Sequence, residues 1–174
     1  MRLNHLILSF FLLAFAAGCA TVSVNYDYDP DVNFTNLKTF NWLPAPKLNE
    51  KHGLVLNRVK TAVKRELESK GIVMVSDNPD FLIAIHGERQ SKVSITDWGY
   101  SPGRYGRYWG GGGIDVYQYE EGTLILDFVD ADIKELIWRG TAIGIVDPDL
   151  SPEQRTENIN NAVAKILEKF PPDR

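Results

Sequence analysis

Residues 123–146, TLILDFVDADIKELIWRGTAIGIV, decide the fold class of this chain. Leu124, Leu126 and Phe128 fall on one side of an extended backbone and the residues between them on the other, the period of two that marks a half-buried strand. Asp130–Glu135 is polar and turn-forming. Leu136–Val146 then returns to apolar and β-branched residues, so the two runs read as antiparallel partners in one hairpin.

Downstream, Ser151-Pro152-Glu153-Gln154 sets an N-cap serine, a proline at the first helical position and a capping-box glutamine in order. Ile159, Ala162, Val163, Ile166, Leu167 and Phe170 follow as one apolar helical stripe, closed by Pro171 and Pro172. Upstream, Phe81–His86 reads as a buried strand after the Asn78-Pro79 turn, with Val93 and Ile95 continuing the extended pattern. Leu54–Lys70 carries Val55, Val59, Ala62, Val63 and Leu67 at helical spacing, with Gly71 as its stop and Ile72–Val75 as a short strand beyond. Lys38–Leu43 reads as a strand closed by Pro44 and Pro46, and Val22, Val24, Tyr26 and Tyr28 alternate as another. Two amphipathic helices among these strands predict an α+β domain over 22–170. It would have a single sheet of about five to seven mainly antiparallel strands, both helices packed on one face, and a short tail at 171–174.

Between the strands lies 98–113, WGYSPGRYGRYWGGGG, with seven of the chain's fourteen glycines and no acidic residue in a protein of net charge −4. So many glycines suit neither helix nor strand, and a loop of this length is either functional or a structureless hairpin tip. Trp98, Tyr100, Arg104, Tyr105, Arg107, Tyr108 and Trp109 form the candidate contact set. Aromatic rings beside guanidinium groups can stack on sugar rings, lie among lipid headgroups or anchor a partner protein.

The N-terminus supplies an address. Arg2, an apolar stretch from Leu6 to Ala17 and the small residues up to Gly18 have the layout of a signal peptide over 1–18. The stretch is shorter than the roughly 20 apolar residues a spanning helix needs. Ala16-Ala17-Gly18-Cys19 resembles a bacterial lipobox, with Ala16 where leucine is commonest. The resemblance implies that Cys19, the only cysteine, is the lipidation site, that 19–21 is a short tether, and that Ala20 after it directs the protein to the outer membrane, facing the periplasm. The alternative is an ordinary secreted protein with a leftover thiol. Without Arg2 the mature chain carries 18 basic and 23 acidic residues. That balance argues against a polyanion-binding protein, and the compartment argues against nucleic acid.

Tyr26-Asp27, Thr39-Phe40-Asn41-Trp42, Pro79-Asp80, Gly122-Thr123-Leu124 with Asp127, and Trp138-Arg139-Gly140 together resemble a family of bacterial envelope lipoproteins known only as a domain of unknown function. The family implies a lipid-anchored domain on the periplasmic side and brings no substrate, cofactor or catalytic residue with it. Read physically, Trp42 and Trp138 are core aromatics whose indole N–H groups each find a partner. Arg139 is a structural donor to a carboxylate such as Asp127, and Gly140 and Gly144 mark bulges or close backbone approach.

Other chemistry fails on spacing. His52 and His86 have no helical or hairpin relation that would pair them on a metal. Gly110–Gly113 lacks the Gly-Lys-Ser/Thr ending of a phosphate loop. Asp27, Asp29 and Asp31 begin a calcium-loop pattern that breaks at Val32 and Lys38. No serine can be tied to a histidine and an acid. The expectation is a non-enzymatic, cofactor-free envelope module that contacts an envelope protein, peptidoglycan or a lipid surface. A periplasmic small-ligand binding protein, with its pocket between sheet and helices, is the alternative, and an enzyme ranks third.

Overall fold

The computed structural model describes residues 22–44, 53–97 and 114–172, except for the side chains of 93–97 and 114–119. Six strands form one mixed sheet: β1 (Ser23–Tyr28), β2 (Thr39–Trp42), β3 (Val73–Met74), β4 (Phe81–Asp97), β5 (Ile114–Asp130) and β6 (Leu136–Val146), in the order β1-β6-β5-β4-β2-β3. β1, β6, β5 and β4 are antiparallel neighbours, whereas β2 runs parallel to both β4 and β3. The parallel pair arises because helix α1 (Gly53–Ser69) returns the chain to the end of the sheet where β2 began. Helix α2 (Pro152–Leu167) follows β6. The architecture is α+β, as the sequence implies.

Local signals set the element ends. Ser151 accepts from the Gln154 backbone N–H and the Gln154 side chain accepts from the Ser151 N–H, so the capping box is complete. Gly71 takes φ +77° just past α1, a left-handed turn that glycine adopts without a Cβ penalty.

The core is a ladder of rings across four adjacent strands, Phe40 level with Phe81 and Phe128 level with Trp138, with a two-residue step between Phe81 and Phe128. Phe40 stacks near Phe81, Phe81 on Phe128 at 4.9 Å and Phe128 against Trp138 at 4.8 Å, and Phe170, beyond α2, closes over Phe128 at 4.6 Å. Val59, Val63 and Leu67 of α1 and Val163, Ile166 and Leu167 of α2 complete the same buried cluster. The opposite sheet face carries no helix among the described residues.

Two strands exceed their sequence reading. β4 and β5 each run for 17 residues and stay in register from Phe81↔Asp130 to Asp97↔Ile114. β2 pairs with β4 only at Phe81–Ile83, and β6 pairs with β5 only from Glu120 onward. The far part of the hairpin is therefore a two-stranded ribbon that projects past the rest of the sheet. Near its root Arg89 pairs with Glu120 at 3.3 Å and Lys92 with Glu121 at 3.6 Å.

His86 is not in a strand buried on both faces. Phe81 and Ile83 face the core, while the His86 side chain is 56 % exposed on the other face. The β5–β6 register shifts at Phe128/Val129, a bulge next to the hairpin turn.

Candidate functional site

The uncovered sheet face holds a cross-strand charge cluster. Asp127 of β5 lies opposite Ala84 of β4 and opposite Arg139 of β6, and Arg139 in turn lies opposite Asp27 of β1. Alternation sends Leu126 and Phe128 into the core, so Asp127 points the other way. It is nonetheless 6 % exposed, the one buried charged residue among those described. Arg139 grips it with both prongs: Nε donates to Oδ1 and Nη2 to Oδ2, each at 2.6 Å. His86, two residues along β4, brings Nε2 to 3.2 Å from Oδ2.

Two-point, charge-assisted contact makes this a strong and directional pair. The Asp127 hydrogen bonds and charge raise the pKa of Arg139 against the smaller opposing effect of burial, so the guanidinium stays ionised. The cluster thus satisfies a buried carboxylate, the structural role expected for Arg139. His86 beside an aspartate has half of a proton-relay geometry, but no described serine, threonine or cysteine hydroxyl or thiol is hydrogen-bonded to it. Among the described residues no group of three histidine, cysteine or acidic side chains could hold a metal.

A second polar knot joins two of the spaced motifs. Asp80 Oδ2 accepts from the Lys38 N–H at 2.8 Å, the Thr39 N–H at 2.7 Å and the Thr39 hydroxyl at 2.8 Å, and that hydroxyl accepts from the Asp80 N–H. Burial pushes the Asp80 carboxyl up, but the hydrogen bonds from Lys38 and Thr39 together outweigh it and hold the group below its ordinary value. The carboxylate ties the start of β2 to the start of β4 across 41 residues of chain.

Trp138 is fully buried, as its sequence reading requires, but its indole N–H has no hydrogen-bond partner among the described residues. Trp42 is half-buried, packed edge-on against Phe40 with the Lys60 ammonium 5.1 Å from its ring centre. Gly140 is the close approach expected: an added Cβ would lie 2.3 Å from the Trp138 ring and 2.4 Å from Ile166. Gly144 has ordinary room, whereas Gly122, not singled out for packing, would meet Val146 at 2.6 Å.

Cys19 and the contact set Trp98, Tyr100, Arg104, Tyr105, Arg107, Tyr108 and Trp109 lie outside the described residues. Their chain neighbours do not: Asp97 and Ile114, on either side of 98–113, are paired, and Ser23 opens β1 four residues after Cys19. Buried residues of the sheet and both helices form one cluster between them. One depression among the described residues is an open trough of about 500 Å³ lined by Arg58, Pro152, Glu153, Thr156, Glu157 and Asn160. Sequence reading missed His86 as a member of the Asp127 cluster and Asp27 as the residue across from Arg139. The phase of alternation along β4 was the available signal for His86.

The model described as "Domain of unknown function (DUF4136)" matches residues 24–172, and the chain belongs to that family. No curated protein matches. Among solved structures, a PDZ domain protein from Parabacteroides distasonis superposes with TM-score 0.59 at 12% identity, covering 98% of this chain and 41% of that one. The chain thus spans about two fifths of that protein's length, and the likeness is one of fold. PelC from Paraburkholderia phytofirmans, solved as a dodecamer, overlaps at TM-score 0.46, 11% identity, 88% of this chain and 100% of that one.

Proposed function

We propose that this protein is a lipid-anchored cell-envelope module of the outer membrane, facing the periplasm, that works by contact and not by catalysis. The observation that carries the reading is Ala16-Ala17-Gly18-Cys19, a lipobox-like sequence placed four residues before β1. So short a tether holds the sheet at the membrane surface. The aromatic and arginine residues of 98–113 then supply the contact with an envelope protein, peptidoglycan or lipid. Support for a non-catalytic role comes from the two-point contact by which Arg139 satisfies the buried Asp127 carboxylate.

Two measurements test the reading. Intact mass of the membrane-extracted protein should show acylated Cys19, and Cys19→Ala should shift the protein from the membrane to the soluble fraction. A Cys19→Ala protein that stays in the membrane fraction sinks the anchor. Cosedimentation with purified sacculi, and separately with anionic vesicles, should depend on 98–113. Equal sedimentation with and without that segment removes it as the contact.

A further inference from the structure

We propose that the anchored protein lies along the bilayer on the length of its β4–β5 hairpin, with the ribbon running over the lipid headgroups instead of standing away from them or piercing the membrane. This rests on the acylation of Cys19 proposed above. The height of the anchor along the sheet follows from register alone. Ser23 pairs with Ile143, Ile143 with Thr123 and Thr123 with Glu88, so β1 begins level with Glu88, close to the middle of β4.

A strand rises about 3.4 Å per residue, which leaves about 24 Å of β4 on the Phe81 side of that level and about 30 Å on the Asp97 side. From Cys19 to Ser23 the extended chain reaches at most about 14 Å. With the Phe81 end down, the lipidated residue could not reach the surface, because the body of the sheet would hold β1 too far above it. With the ribbon tip down, about 16 Å of paired strand would have to pass the lipidated residue into hydrocarbon. The ribbon cannot do that at low cost: beyond Ile83 the outer edge of β4 has no partner strand among the described residues, and before Glu120 the outer edge of β5 has none. Every unpaired edge N–H and C=O would lose its water in the bilayer core. At the headgroup level the edge N–H groups donate to water or phosphate oxygens and the edge C=O groups accept from water. Orientations in which the long axis runs along the surface satisfy both the tether and the edges, and among them laying the sheet flat brings the ribbon to the headgroups, because with the β1 edge down β4 would stand three strands, about 14 Å, above it.

The test uses the full-length acylated protein in phosphatidylethanolamine/phosphatidylglycerol vesicles. Cys19 is the only cysteine, so once it is acylated, Asp97→Cys and Ile133→Cys each present one thiol for a fluorophore at opposite ends of the long axis. Quenchers are placed on the headgroup or at the acyl-chain centre. Both probes should be quenched by the headgroup quencher to within about twofold of each other and neither by the deep one, the pattern of an element lying in the interface plane. Headgroup quenching at one end alone, or deep quenching at position 97, overturns the orientation while leaving the anchor standing. Unacylated Cys19 by mass, with no flotation on vesicles, overturns the orientation together with the anchor. Ser91→Cys and Asp132→Cys, at exposed positions, repeat the comparison if either first variant fails to fold.

Discussion

A β-carbon on Gly140 would sit inside the van der Waals surface of both the Trp138 ring and Ile166, and neither can retreat from a core this full. Gly140→Ala should therefore cost about 1–3 kcal/mol of stability in urea unfolding, the range for overpacking a dense interior. The Trp-Arg-Gly run is thus legible as physics: a buried indole, a guanidinium turned to the other face and a residue too small to obstruct the ring. Asp80 gives a pH signature. Its carboxyl is held below its ordinary value, so its stabilisation is complete above the unfolded value of 3.8 and is lost as pH falls through the lower folded value. Asp80→Asn should be less stable than the parent by about 1 kcal/mol at neutral pH, a figure discounted for partial exposure. Chemical denaturation on either side of pH 3.8 should show that gap narrowing below it. No spacing rule links Asp80 to Thr39; the contact exists only because β2 and β4 lie side by side.

The elements differ in how far local chemistry specifies them. The start of the second helix was readable to the residue because a capping box needs only four neighbouring positions, whereas its end was not: the helix stops at Leu167, short of Phe170, where the apolar stripe ends. Nor was the β4–β5 ribbon readable. Gly87–Lys92, GERQSK, shows no alternation, and it shows none because neither face of the strand is buried there. Such a segment is held by backbone pairing and by cross-strand pairs such as Arg89–Glu120, not by a core. A two-stranded hairpin on its own is marginal in water. Native-state amide exchange should accordingly rise along β4: the amides of 93–97 that pair with β5 should exchange much faster than those of Phe81–Ile83, where β4 is flanked by both β2 and β5. Uniform protection along all 17 residues of β4 would mean that the ribbon is buttressed along its length.

At the scale of the whole molecule, the Phe40–Phe81–Phe128–Trp138–Phe170 ladder lies at the end of the hairpin remote from 98–113. Replacing 98–113 by Asn-Gly would join the paired residues Asp97 and Ile114 with a two-residue type I′ turn. Thermal melting should move by less than about 4 °C, equivalent to roughly 1 kcal/mol for a domain of this size. A larger fall would show that the segment braces the body of the sheet. The α+β class, the two helices and the β5–β6 hairpin, with Asp127 as one candidate carboxylate for Arg139, are legible in the sequence alone, because each is written in residues that are neighbours in the chain or across one turn; the register that puts Asp127 opposite Arg139 is not. That β2 inserts parallel between β3 and β4, that His86 joins Asp127 on the open face and that β1 pairs with β6 so that its first residue comes level with the middle of β4 is legible only in the assembled sheet. These depend on which strands become neighbours, and that is set by burying one continuous aromatic core, a property of the assembled sheet that no local pattern carries.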